Sequence, residues 1–340
     1  MKRLVIIITM LSFFTGIFAQ QARTMEVRTL PLDSLRTSDP FVVADDATKT
    51  YYMFSSGGGG MVNYRKSKDL RMWDGPYTAW RGDSSFWAGA TPATWAPEVH
   101  KYRGKYYLFV TMTTSKEEII ERIPGRYDIP RRGMQILVAD TPEGPFIPVG
   151  GESTPKEWAS LDGTLWVEDG IPYMVFCHEW LQIVDGTMDL VRLNQDLSEP
   201  VDKPLVLFKA SDAPWSREML SIGEKTYGLD LPGNVTDGPW LFRTQTGKLG
   251  MLWSSWGNSR YALGVAYSES GKIIGPWIQE PTAIYPDNGG HAMMFRTFDG
   301  KLLLSMHYSK ETTGRQIRRP MFLEVDDSGD KLVIGKVYLK

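Results

Sequence analysis

Residues 237–256 read DGPWLFRTQTGKLGMLWSSW. An acidic opening and a Gly-Pro pair lead into an apolar run, a polar turn containing Gly and Lys follows, and a second, richer apolar run closes the stretch. This is the pattern of two antiparallel strands joined by a hairpin. The same order of parts recurs as DPFVVADDATKTYYMFSS from Asp39, APEVHKYRGKYYLFVTMT from Ala96, DGTLWVEDGIPYMVFC from Asp162 and HAMMFRTFDGKLLLSMHY from His291. The openings are 57, 66, 75 and 54 residues apart, so the grammar repeats although the residues differ. A third strand and a further turn follow several of the pairs, as in MQILVADTPEGPF, LGVAYSESGKIIGPW and RPMFLEVDDSGDKLVIG. Sheets of about four strands repeated about five times predict an all-β chain, a five-bladed β-propeller occupying residues 25–340 as a single domain. The segment KEEIIERI at 116–123 reads as one or two helical turns within a loop between strands.

Composition agrees with that reading. Of 340 residues, 12 are Trp and 15 Tyr, beside 33 Gly and 21 Pro, which suits a turn-rich β fold and aromatic faces for sugar rings. Net charge is −2 without a block of like charge, so no nucleic-acid partner is expected. The start, MKRLVIIITMLSFFTGIFAQ, has a basic end, a short apolar run and the small residue Ala19. It reads as a signal peptide over residues 1–19, giving an exported protein, periplasmic or extracellular. Its apolar run is short for a membrane anchor and no second run of spanning length follows, so no membrane span is expected after its removal. The lone cysteine, Cys177, allows no disulfide framework.

Propeller geometry sorts the remaining residues. The inner strand of each blade starts at one end of the central channel, so the five openings converge on one face, and the loops after each second strand emerge there too. Three openings are aspartates: Asp39, Asp162 and Asp237. Each alone reads as a turn cap. Together they repel, a cost with a use where one carboxylate must stay ionised and another protonated, as in glycoside hydrolysis.

The sequence resembles glycoside hydrolase family 43, five-bladed propellers that remove arabinofuranose or xylose units from plant polysaccharides with inversion. WAPEVHKYRGKYYLF is similar to the family's second-blade signature and DGTLWVEDGIPYMVF to its third, and the resemblance runs from SDPF at 38 to the last blade. It implies that Asp39 is the general base acting through water, that Asp162 raises the pKa of the acid and orients it, and that Trp95 lines the sugar site. The family pattern usually has Glu-Gly-Pro at the fourth opening, with the glutamate as acid, whereas this chain has Asp237. A shorter side chain sets the carboxyl back, and a displacement of about 1 Å can cost ~10²-fold in rate.

Glu179, in the loop after the second strand of blade three, is the alternative acid. Trp180 beside it would desolvate it. The reading favours Glu179 as acid and Asp237 as a group that binds or orients sugar; the reverse assignment stays open, as does a plain surface ion pair for Glu179. Trp180 and Trp256 are stacking candidates, with core packing as the other reading for Trp256. Arg315 would donate to a sugar hydroxyl or pair with a carboxylate. By the resemblance, a structural calcium in the central channel lies near His291, mostly water-coordinated; a hydrogen-bonded core histidine is the other reading. No organic cofactor is expected. These readings make the chain an exported inverting exo-glycosidase acting on oligo- or polysaccharide side chains, an α-L-arabinofuranosidase. β-Xylosidase and β-galactofuranosidase are alternatives of the same fold, and a non-catalytic glycan-binding propeller is the alternative of another class.

Overall fold

A computed structural model of the chain describes residues 26–123, 128–219, 232–258, 260–312 and 315–339, apart from the side chains at 311, 312, 315 and 316. The signal-peptide expectation for residues 1–19 lies outside the described residues. Among the described residues no helix is long and apolar enough to cross a membrane.

Five antiparallel sheets follow one another along the chain. Blade one holds Phe41–Asp45, Thr50–Ser55, Met61–Ser67 and Met72–Arg81, with Arg28–Pro31 paired outside as a fifth strand. Blade two holds Ala93–Tyr102, Lys105–Thr113, Arg132–Ala139 and Ile147–Glu152. Blade three is Ser160–Glu168, Ile171–His178, Thr187–Arg192 and Leu205–Lys209. Blade four is Asp237–Arg243, Leu249–Trp256, Tyr261–Ser268 and Trp277–Gln279. Blade five is Gly289–Arg296, Leu302–Thr312, Arg315–Asp326 and Val333–Val337. The inner strands are Phe41–Asp45, Ala93–Tyr102, Ser160–Glu168, Asp237–Arg243 and Gly289–Arg296, and each touches those of the blades before and after it, blade five closing on blade one. The five-bladed β-propeller read from the repeats is the fold.

Closure needs no shared strand, because all of blade five comes from the C-terminal stretch. One apolar cluster crosses the seam, joining Phe41, Tyr51 and Trp73 to Met293, Phe295, Leu303 and Phe322. Polar contacts pin the same seam: Ser305 Oγ donates to the Pro40 carbonyl at 2.7 Å and the Phe298 amide donates to Tyr51 Oη at 2.9 Å. Burial of this size outweighs individual hydrogen bonds, so the seam is held mainly by its aromatic and aliphatic side chains.

The helical reading of 116–123 is corrected. Ile119–Arg122 is a strand paired with Asp128–Pro130. Eight residues are too few to repay helix nucleation, and the neighbouring β-branched pair Ile119-Ile120 favours an extended backbone.

Each blade opens on a residue in the left-handed region: Asp39 (φ 53°), Ala96 (42°), Asp162 (57°), Gly238 (49°) and His291 (52°). In blades two to five a break in strand register falls at the same place, between Trp95 and Glu98, Leu161 and Thr164, Asp237 and Trp240, and Gly290 and Met293. These are bulges that turn the strand opening toward the channel mouth. Four of the five residues carry a side chain, and such a conformation costs roughly 1–3 kcal/mol each, strain that collects at functional sites. Blade four differs from the expected register by one residue. Its counterpart of Asp39 and Asp162 is Gly238, and Asp237 stands one position earlier, level with Ser38, Trp95, Leu161 and Gly290. Glycine is required at 238 by what surrounds it, since a Cβ there would lie 2.7 Å from the His291 ring.

Candidate active site

A circular hydrogen-bond pattern sets the mouth of the channel. The amide of each left-handed residue donates to a side chain of the preceding blade. Ala96 donates to Ser56 Oγ at 2.7 Å, Asp162 to Thr111 Oγ1 at 2.8 Å, His291 to Ser254 Oγ at 2.8 Å and Asp39 to His307 Nδ1 at 3.2 Å. Blade three offers Cys177 at the matching position, opposite Leu161, and the Gly238 amide donates instead to Asp162 Oδ2 at 3.1 Å. A thiol is a poor acceptor, so a carboxylate takes the bond.

Asp39 is buried and held in its ionised form. Burial alone would raise its pKa, but the charge of His291 and the hydrogen bond of His307 outweigh it, with Arg318 adding a smaller pull, and the carboxyl lies well below the usual range. His307 Nδ1 is 3.1 Å and His291 Nδ1 3.4 Å from Asp39 Oδ1, while Ser56 Oγ donates to Oδ2. His307 itself is buried, which pushes its pKa down, and it stacks on Tyr261 with ring centroids 5.4 Å apart.

Asp162 and Asp237 are pushed the other way. The Asp162 carboxyl is raised to about 7, by burial first and then by the charge of Asp39, with the Gly238 amide pulling against both. Asp237 is raised well above the carboxylate range by burial first and then by Asp162; His291 and the Tyr261 hydroxyl, which donates to Asp237 Oδ2 at 3.0 Å, oppose this. The mouth therefore carries one carboxylate ionised and two that hold protons far more readily, the division that acid–base hydrolysis of a glycosidic bond requires.

Glu179 is 7% exposed and Arg132 donates to its Oε2. Arg132 Nε donates to Thr113 Oγ1 at 2.9 Å, and the guanidinium carbon lies 4.2 Å from the centroid of Trp95. Trp95 is half-buried at the opening of blade two. The surface ion-pair reading of Glu179 is thus corrected to a buried pair, with the Arg132 and Glu179 side chains both about nine-tenths covered and His178 before it ending a core strand. Trp180 is not an exposed stacking face. It is 5% exposed and packs with Met219 and Val235, while Trp256 is half-buried and meets Tyr261 edge-on at 5.8 Å. Arg315 begins the third strand of blade five, and its side chain lies outside the described residues. Arg318, on the same strand, is the cation that acts on Asp39, with Nη1 3.4 Å from Ser38 Oγ.

His307, Ser56, Thr111, Tyr261 and Arg132 escaped the sequence reading because each sits inside or beside an apolar strand, where its neighbours signal core and not site. The signal available was positional: Thr111, Cys177, Ser254 and His307 lie opposite the residue before the left-handed opening of their blades, and Ser56 follows the second strand of blade one. A calcium chelated by protein side chains does not fit His291. Among the described residues no three carboxylate, imidazole or thiol groups are arranged to hold a metal, and the His291 ring faces Asp39 and Asp162, the latter at 3.8 Å.

Residues 29–325 match the family described as Glycosyl hydrolases family 43. The chain belongs to that family. It is a glycoside hydrolase of an inverting family, and a glycan is its substrate class. Among solved structures, family 43 likeness is seen with an endo-arabinase from Bacteroides thetaiotaomicron VPI-5482, at 38% identity over 92% of this chain and 97% of that one, with TM-score 0.73. An α-L-arabinofuranosidase from Lactobacillus brevis shares the fold at 19% identity, covering 88% of this chain and 93% of that one, TM-score 0.66. A xylan β-1,4-xylosidase from Bacillus halodurans C-125 shares it at 18% identity over 89% of this chain and 56% of that one, TM-score 0.63. No curated protein matches the sequence.

Proposed function

We propose that the chain hydrolyses α-L-arabinofuranosyl linkages of arabinan-type glycans with inversion, with Asp39 as general base, Asp237 as general acid and Asp162 as the group that keeps the acid protonated. The observation that carries the reading is the opposed pair of carboxyls at one channel mouth, Asp39 held ionised and Asp237 held protonated beside Asp162. Water loses a proton to Asp39 as its oxygen bonds to the anomeric carbon. The glycosidic C–O bond breaks, and the leaving oxygen takes the proton of Asp237. Burial raises the pKa of Glu179 as well, but Arg132 donates to its carboxylate and opposes that rise, whereas the neighbouring charge of Asp162 pushes Asp237 further up, which makes Glu179 the poorer acid.

The likeness to an endo-arabinase supports arabinose as the sugar and favours internal cleavage. The long hairpin Leu302–Thr312 and Arg315–Asp326, with the strand pair Ile119–Arg122 and Asp128–Pro130, supports a walled mouth and attack on chain ends. Products of linear α-1,5-arabinan settle the mode: arabinose alone from the first minutes means exo action, a ladder of oligomers means endo action, and in both the first anomer formed is β. No release from arabinan, together with turnover of xylose or galactofuranose glycosides, moves the specificity to those sugars; binding without turnover of any of them leaves a glycan-binding propeller.

Two further parts of the proposal rest on the sequence. Export follows from the leader at 1–19 and is checked by the mass of the secreted protein. A mostly water-coordinated calcium beside His291 is expected to raise thermal stability, so chelation should lower the melting midpoint by several degrees. An unchanged midpoint counts against it.

A further inference from the structure

Arg131 and Arg132 are consecutive, and each is laid on a tryptophan and tied to a glutamate. Arg131 lies over Trp87 at 4.8 Å with Glu152 and Glu118 as partners. Arg132 lies over Trp95 at 4.2 Å with Glu179 as partner. They differ in where they stand. Trp95 occupies in blade two the position that Asp237 occupies in blade four, directly before the left-handed residue, so Arg132 is held at the mouth of the channel.

Three fixed contacts define the Arg132 side chain: Nη1 on Glu179, Nε on Thr113 Oγ1 and the guanidinium plane on Trp95. Nη2 takes no acceptor among the described residues, although the side chain as a whole is only 10% exposed. Nη2 is not among the buried unpartnered donors, so it opens onto the mouth, and its two N–H groups beside the Trp95 ring suit sugar hydroxyl oxygens. Glu179, the residue whose sequence setting suggested an acid, is the anchor that fixes this fork.

We propose that Arg132 is a sugar-binding residue, its Nη2 donating to hydroxyl oxygens of a glycan unit that lies against Trp95, and that Glu179 is the positioning residue that holds it there. This rests on the reading of the mouth as a glycan site and adds a role for two residues outside the acid–base set. Removing either partner leaves the other charge buried, so the charge-free pair Arg132→Met with Glu179→Leu accompanies the single variants, and folding of each is checked by circular dichroism.

Binding is read separately from chemistry in an Asp39→Asn background, by calorimetry with arabino-, xylo- and galactofuranosyl oligosaccharides. Arg132→Met and the charge-free pair should weaken the Kd of whichever glycan binds by about 10- to 100-fold, the range for a hydrogen bond from a charged donor. Arg131→Lys, on the neighbouring stack, should leave it within twofold. Kd values within twofold of the Asp39→Asn parent for the Arg132 variants, or equal weakening by Arg131→Lys, overturn the assignment while leaving the glycan site intact. A parent that binds none of the three glycans overturns both readings. In the active background, Glu179→Gln should raise KM and leave the alkaline limb of the kcat profile in place. Loss of that limb, or rescue by an activated leaving group, returns Glu179 to the role of acid and ends the proposal.

Discussion

Asp39→Asn is expected to lower kcat on an aryl α-L-arabinofuranoside by about 10⁴-fold, the upper end of what one positioned proton-transfer group contributes. The amide keeps an oxygen for the Ser56 hydroxyl and the volume of the carboxylate, so the mouth should keep its shape and its sugar affinity. What it loses is the ability to take a proton from water. The pH dependence has a worked sign. Asp39 must be ionised to act, and its pKa is held well below the usual carboxylate range, so activity should not fall on acidification until the protein itself begins to unfold. The profile of kcat/KM is therefore one-sided, with its loss on the alkaline flank. Stopped assays across the pH range on wild type and variant check both statements; a variant within tenfold of wild type removes Asp39 from the base role.

The architecture was open to a sequence reading because strand pairs with polar turns have a short period that the repeat exposes five times over. Three acidic openings were legible for the same reason. The register of blade four was not. Asp237 and Gly238 both look like an opening, and only backbone conformation tells which one is the counterpart of Asp39, since Asp-Gly-Pro carries the left-handed turn on its glycine and DPF or LDGT carry it on the aspartate. Glu179 shows the opposite difficulty. Its neighbours His178 and Trp180 suggested a site residue, but the partner that decides its charge state, Arg132, lies 47 residues away on another blade. Long-range pairing of this kind has no local signature. The KEEIIERI segment failed by a local rule, where charge periodicity outweighed two isoleucines whose strand partner, Asp128–Pro130, lay beyond the window.

Asp237→Asn should separate leaving-group chemistry from the rest of the site. With arabinan or a nitrophenyl glycoside, whose leaving oxygen benefits from protonation, kcat should fall by about 10²- to 10⁴-fold. With a dinitrophenyl-type group, which departs unaided, the loss should stay within about tenfold. The alkaline limb of the wild-type profile should vanish with the carboxyl, because activity requires Asp237 protonated and its raised pKa marks where rising pH removes that proton. The family's glutamate, in Glu-Gly-Pro, stands at the same place before the glycine, so Asp237 differs from it by one methylene and not by backbone position. Asp237 stands before the left-handed residue and not on it, and from there its carboxyl already meets the Tyr261 hydroxyl at 3.0 Å and interacts with Asp162. Lengthening the side chain in Asp237→Glu would drive the carboxyl past Tyr261, so that variant should lose activity on the polymer despite matching the family pattern. Equal loss with good and poor leaving groups in Asp237→Asn, by contrast, would make Asp237 a binding residue and leave Glu179 as the nearest remaining donor.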